Sequence, residues 1–376
     1  MRRSRFALSL AAALALAAAA LPARGADPRV LKIGACLSLT GPAAVYGAQQ
    51  KAGILAAVEE LNRQQYVPGV KLEVVIEDDA STKEQGIAVY QRLIAREKVA
   101  AILGPTLSNT ATAANPLAQA AKVPVVAISN TAPRGITDIG DFIWRVSLTE
   151  AQVIPGALKR AQAKLGFKSA GLLYGNDDAF TKAGFDVMRS ALDGMGVKRA
   201  GTQTFAKQDR DFNAQLTALF AQKPDILVVS ALVENAAGIV VQARQLGWKG
   251  PILGGNGFNS AALVKNAGPA AEGVLVGTSW NRVSAAPANQ AFLKLMAGRG
   301  HEPDQFCAQA YTGVLAVAHA AKLAGGKTGR ADVKGAFPKV KGLDTPLGKF
   351  SFLPSRDGDH EPALQQVRNG TFEIAQ

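Results

Sequence analysis

Residues 100–133 read AAILGPTLSNTATAANPLAQAAKVPVVAISNTAP, and their reading decides the fold. Val99 to Leu103 is an unbroken apolar run of strand length. Gly104–Pro105 stops it, and Ser108, Asn109 and Thr110 lead into an alanine-rich helical run that ends before Lys122. A second buried strand over 125–128 closes on Ser129, Asn130 and Thr131. Strand, polar turn, helix, strand, polar turn is a parallel crossover. Both polar turns follow the carboxyl end of a strand, where open α/β sheets bind ligands. Hydroxyls beside the free amides of a helix start suit an anion. Ser108 and Thr131 are therefore read as holding a carboxylate, with simple helix capping as the alternative.

The same grammar extends both ways. Strands are expected over 30–39, 71–77 and 142–146, with helices over 49–62 and 82–97 between them. Further on, DILVVSALVENAAGIVVQARQLGWKGPILGGNG (225–257) repeats the layout of the opening stretch without repeating its residues. Two similarly wound lobes follow. The tail differs: runs at 348–353, 363–367 and 371–375, with turns at Asp357–Gly358 and Asn369–Gly370, read as a β-meander.

Arg2, Arg3 and Arg5 precede an apolar run from Phe6 to Leu21, and small residues follow, so 1–25 reads as a cleaved secretory signal. Four basic residues and no acid lie in that segment, which leaves +9 of the formal +13 on the mature chain. The remaining lysines and arginines are scattered, without basic runs or interleaved aromatics, so nucleic acid is not an expected partner. A mature chain of about 350 residues implies two domains. The two cysteines, Cys36 in an apolar strand and Cys307 in a helical run, fit buried free thiols at least as well as a disulfide.

Catalytic and cofactor signatures are missing. The three histidines have no metal-ligand neighbours at useful spacing, and there is no G-x-S-x-G elbow. Gly325-Gly326-Lys327-Thr328 resembles a fragment of a P-loop, but no strand precedes it and Ala321 stands at its first glycine position. The expectation is a binding protein without catalytic residues, cofactor or metal.

Five stretches go further: IGACLSLTGPAAVYGAQQKAGILAAVEELN (33–62), VVIEDDAST (74–82), ILGPTLSNT (102–110), AAEGVLVGTSW (270–280) and DQFCAQAYTG (304–313). In order along the chain, they resemble the branched-chain amino-acid binding proteins of bacterial ABC importers. The resemblance implies two doubly wound parallel-sheet lobes, joined by three hinge crossings near Ser147, Thr278 and Thr345. The lobes would be 26–147 with 279–345, and 148–278 with 346–376. It implies a periplasmic monomer that captures a small carboxylate between its lobes and hands it to a membrane permease. A sensor that passes its signal to a receptor would use the same fold, and a secreted enzyme is a third reading.

Residue by residue, the resemblance matches Ser108 and Thr131 to hydroxyls that bond the ligand carboxylate, with a backbone group of Asn130 beside them. Tyr46 matches a pocket aromatic, and Phe180 stands in the place of a tyrosine. At Asn256 the pattern departs, because amino-acid binders usually carry an acid there for the ligand ammonium. Leu232 likewise replaces an aromatic. A buried ammonium without its partner costs roughly 3–5 kcal/mol. The expected ligand is therefore a hydrophobic or aromatic acid without an α-ammonium, contacted by Tyr46, Phe180 and Trp280. Glu234, Asp177 or Asp178 reaching an ammonium instead is the open alternative.

Overall fold

The computed structural model describes residues 29–375. The expected signal segment lies outside the described residues. Strands β1 (Arg29–Leu37), β2 (Val70–Asp78), β3 (Ala101–Leu103), β4 (Val125–Ala127) and β5 (Ile143–Arg145) form a wholly parallel sheet in the order β2-β1-β3-β4-β5. A second sheet is built on the parallel strands β6 (Ser169–Gly175), β7 (Lys198–Phe205), β8 (Ile226–Ser230), β9 (Ile252–Gly254) and β10 (Leu275–Thr278). The chain next makes a small antiparallel sheet of β11 (Leu343–Thr345), β12 (Gly348–Phe352) and β13 (Gly358–Asp359). It then returns to the second sheet as β14 (Ala363–Arg368) and β15 (Thr371–Ile374), both antiparallel, giving the order β15-β14-β10-β9-β8-β6-β7.

Strands β3, β4 and β8 are buried at every position, as parallel strands covered on both faces must be. The covering helices are α1 (Ala44–Arg63), α2 (Lys83–Gln91), α3 (Ser108–Ala120), α4 (Glu150–Leu165), α5 (Ala179–Gly194), α6 (Asn213–Phe220), α7 (Val233–Gln245), α8 (Ala261–Ala267), α9 (Pro287–Gly298), α10 (Gln305–Leu323) and α11 (Arg330–Ala336). A single wider π-turn, Arg92–Arg96, prolongs α2. Helix α4 shows how local sequence sets an end. Thr149 and Gln152 form a reciprocal capping box at its start, and Gly166 stops it with a left-handed φ of 68°. Among the described residues no helix is long and apolar enough to cross a membrane, and no cluster of three or more His, Cys, Asp or Glu could hold a metal. Cys36 and Cys307 are buried and unpaired with each other.

Both sheets reverse their winding direction in the middle, between β1 and β3 in the first and between β6 and β8 in the second. The crevice at such a reversal opens at the strands' carboxyl ends. Gly104 draws the two central strands of the first sheet together there. Its φ is +102°, and a Cβ on it would sit 2.2 Å from the Cys36 carbonyl oxygen, so only glycine fits.

The tail departs from the expected meander. Strand β12 does not pair with β14; it pairs with β11 and β13. Residues 346–359, expected with the second lobe, bring Phe350 and Phe352 into the core of the first sheet beside Trp144 and Phe337. The chain reaches the second sheet only at Ala363, well after Thr345. Alternating apolar residues mark a strand but not its partner, and the aromatic pair chose the larger core.

Candidate functional site

The carboxyl ends of the two sheets face one another across an enclosed cavity of about 30 Å³. Every wall except Phe306 comes from a loop or helix start after a strand. Tyr46 enters from the first turn of α1, Ser108 from the start of α3, and Ser129 and Thr131 from the turn after β4. From the second sheet come Phe180 at the start of α5, Leu232 just before α7, and Asn256 and Gly257 after β9. Phe306, on α10, closes the apolar side and packs against Tyr46 at a ring separation of 4.5 Å.

Ser108 does not cap its helix. Leu107 occupies the cap position and makes no side-chain bond, so Ser108 is the first helical residue. Its hydroxyl forms no hydrogen bond among the described residues, although the residue is buried and lines the cavity. A buried hydroxyl beside the unpaired amides of a 13-residue helix is a ready donor for an anion. Ser129, by contrast, is already engaged: it donates to the Thr106 carbonyl at 2.7 Å and accepts from Gln50 Nε2 at 2.7 Å.

Thr131 also reaches the cavity, but its hydroxyl donates to Glu150 Oε1 at 3.1 Å. Asn256 donates to the same oxygen through Nδ2 at 3.0 Å and through its backbone amide at 3.3 Å. Its Oδ1 accepts from Gln305 Nε2 at 3.1 Å and Ser279 Oγ at 3.3 Å. Gln305 in turn accepts from the Ser279 amide and the Thr278 hydroxyl. One buried polar chain thus runs from Thr131 through Glu150 and Asn256 to Gln305 and the 278–279 segment. Burial raises the Glu150 carboxyl to about 7, against the opposing pull of its three donors.

Tyr46 ties the two faces of the cleft. Its hydroxyl donates to the Gly257 carbonyl at 2.7 Å and accepts from the Val233 amide at 2.8 Å. Beside it, Asn109 Nδ2 donates to Asp178 Oδ2 at 2.8 Å, and the Ala179 amide donates to Asn109 Oδ1 at 3.0 Å.

Several expected contacts fall elsewhere. Trp280 does not line this cavity. It packs edge-on to Phe292 in the first core and donates from Nε1 to Asn289 Oδ1 at 2.9 Å. Asn130 is buried behind the wall: its amide donates to the Pro105 and Thr106 carbonyls, and its own carbonyl accepts from Arg145 and Ser147. Asp178 caps α5, Asp177 accepts from the Lys207 amide, and Glu234 pairs with Arg210 at 3.5 Å, so none of the three lines the cavity. Asp177 and Asp178 instead border an open groove of about 900 Å³ between α3, α4 and α5. Sequence reading missed Glu150, because an acid in a first helical turn reads as a complement to the helix dipole. Gln305 and Phe306 were within reach, since both lie in the DQFCAQAYTG stretch.

The family model described as periplasmic binding protein matches residues 30–371. A leucine-, isoleucine-, valine-, threonine- and alanine-binding protein of Pseudomonas aeruginosa is 27% identical over 347 residues, covering 91% of this chain and 90% of its own. The branched-chain amino-acid transporter substrate-binding protein LivJ of Streptococcus pneumoniae, solved with isoleucine, superposes with a TM-score of 0.85 at 28% identity, covering 92% of this chain and 99% of its own. In fold alone, a solute-binding protein of R. palustris in complex with 4-hydroxybenzoate is similar too, with a TM-score of 0.83 at 24% identity over 92% of this chain and 95% of its own. The chain belongs to the periplasmic binding protein family, with the type I α/β fold of its branched-chain amino-acid binders.

Proposed function

We propose that this protein captures a small hydrophobic carboxylate in the periplasm and delivers it to the permease of an ABC importer. The two sheets then belong to two lobes, joined where the chain passes near 147, near 278 and between 359 and 363. Ser108 and the first turn of α3 receive the carboxylate. Tyr46, Phe180, Leu232 and Phe306 receive the apolar body. A gap of about 30 Å³ holds little more than a water, so a ligand enters only after the cleft opens. The importer role is drawn from the family, and from the enclosure of a donor-rich, apolar-walled site between two sheets.

The observation that carries the ligand class is the state of Asn256. Its amide and carbonyl are both spent on Glu150, Ser279 and Gln305. Among the described residues no acid lines the cavity to neutralise an ammonium. An organic acid, aromatic or branched, therefore fits better than an α-amino acid. The second reading, branched-chain amino acids, is favoured by the ligands of the relatives at 27–28% identity. A thermal-shift screen of the mature protein separates the two readings. It compares benzoate, 4-hydroxybenzoate and 4-methyl-2-oxopentanoate with leucine and isoleucine. At a hundred times its dissociation constant a true ligand adds roughly 2.7 kcal/mol. We expect that shift from one or more of the acids; strong stabilisation by isoleucine with none from the acids would overturn the organic-acid reading.

A further inference from the structure

Thr131 carries one hydroxyl proton, and a hydroxyl can donate only once. In the structure that proton goes to Glu150 Oε1. The face that Thr131 turns to the cavity then offers lone pairs, which repel an anion. If Glu150 is neutral with its proton on Oε1, that proton is donated to the Thr131 oxygen, Oε2 remains as the carbonyl oxygen, and the Thr131 proton becomes available to a ligand carboxylate. We propose that Glu150 takes up a proton when an anionic ligand occupies the cleft, so that capture of a carboxylate is coupled to protonation of this positioning residue. The inference rests on the carboxylate reading of the site given above.

Three features support it beyond the hydrogen bond itself. First, the carboxyl is lopsided: Oε1 faces three donors, whereas Oε2 is buried without a partner. An ionised carboxylate gains from donors on both oxygens, and here one oxygen is bare, which favours the neutral form. Second, no charge balances it. The groups that face Glu150 are Thr131 from the β4–β5 turn, Gly255 and Asn256 from the turn after β9, Ser230 of β8, and Gly184 of α5. None of these is ionisable. Charged side chains of the flanking elements are committed elsewhere, Arg145 to Asp357, and Asp178 to Asn109 and Thr181. On α5, Lys182 and Asp186 face the outer groove. On α4 itself, Lys159, Arg160 and Lys164 lie on exposed turns further along. Third, a ligand carboxylate on the other side of the Thr131 hydroxyl would place two like charges with only that hydroxyl between them in a water-poor site. One of two such carboxyls takes a proton.

The sign follows. Glu150 is held at about 7 before any ligand binds, and a bound anion raises it further. Benzoate affinity is then flat at mildly acidic pH and falls by up to tenfold per unit above neutrality. Asp304, also raised to about 7 by burial at the start of α10, titrates in the same range, so a variant is needed to assign the effect.

The test is calorimetric titration of benzoate into the mature protein between pH 6 and pH 8.5. At pH 8 it is run in two buffers of different ionisation enthalpy, which counts protons without any mutation. We expect close to one proton taken up at pH 8 and a dissociation constant up to roughly 25-fold weaker at pH 8.5 than at pH 6.5. In Glu150→Gln the same comparison should change less than about twofold. Benzoate binding that is independent of pH and takes up no proton would overturn the coupling and leave the carboxylate reading standing. A slope that persists unchanged in Glu150→Gln would overturn it equally. No benzoate binding at any pH, with isoleucine binding instead, would overturn the organic-acid reading of the site and, with it, coupling to an anionic ligand.

Discussion

Tyr46 is the clearest case of one side chain committed to closure. Its hydroxyl joins a carbonyl after β9 to an amide at the start of α7, both in the second sheet's layer, while its ring stands on α1 of the first. Tyr46→Phe would leave the Gly257 carbonyl and the Val233 amide buried and unpaired. Each such group costs about 1–3 kcal/mol. We expect chemical denaturation to show a loss of about 2 kcal/mol or more for the ligand-free protein; unchanged stability would mean that the cleft is open in solution. Glu150 adds a pH-dependent stability of its own. Its folded value of about 7 lies above its ordinary 4.5, so the folded chain binds the extra proton and stability falls as pH rises through that window. His360 works the other way: burial pushes it down to about 4, so its contribution is lost as pH falls below 6.5. The two partly cancel in the wild type. The difference between wild type and Glu150→Gln isolates the acid, and we expect the wild type to lose on the order of 2–3 kcal/mol relative to the variant between pH 5 and pH 8. A difference that stays constant with pH would show that Glu150 titrates at an ordinary value.

At the scale of elements, the parallel strands and their helices were legible because apolar runs and helical spacing recur with little interference. What sequence could not supply was partnership. Helix α8 and the short strands β11 and β13 bury few residues of their own, and the period-2 signal of β12 does not say which sheet receives Phe350. The site divides in the same way. Ser108 and Thr131 were legible as polar residues at strand ends, whereas Glu150 reads as an ordinary helix start, and Trp280 reads as a pocket aromatic although it sits in a core. Packing between α1 and α10 gives an element-scale prediction. A Cβ on Gly53 would lie 2.3 Å from the Cys307 carbonyl oxygen, so the two helices meet at backbone distance. Alanine ordinarily favours a helix over glycine by about 1 kcal/mol. Here the clash must push apart the helices that carry Phe306 and Tyr46 to the same cavity, and overpacking costs about 1–3 kcal/mol. Gly53→Ala should therefore lower the melting temperature; a rise would show that the helices separate freely.

For the whole molecule, the cross-cleft contacts define how far closure is favoured without ligand. Besides Tyr46 and the polar chain from Thr131 to Gln305, Asn109 bridges the cleft, its amide and carbonyl each bonding the start of α5 through Asp178 and Ala179. Two such bonds are worth about 1 kcal/mol each, net of water, so Asn109→Ala shifts the closed-to-open ratio by roughly 30-fold. A ligand can restore closure only through its extra affinity for the closed state. Affinity is a poor reporter of this shift, because a protein that starts mostly closed loses little binding when the ratio drops. Shape reports it directly. By small-angle scattering, we expect ligand-free Asn109→Ala to have a larger radius of gyration than the wild type, and saturating benzoate to return it to the wild-type value. Neither residue that this side chain bonds lines the cavity, so the direct contacts to ligand are preserved. Identical scattering curves for the two ligand-free proteins, both unmoved by ligand, would show that the two sheets do not move about a hinge, and the capture mechanism would then require entry by local side-chain motion around Tyr46 and Phe180.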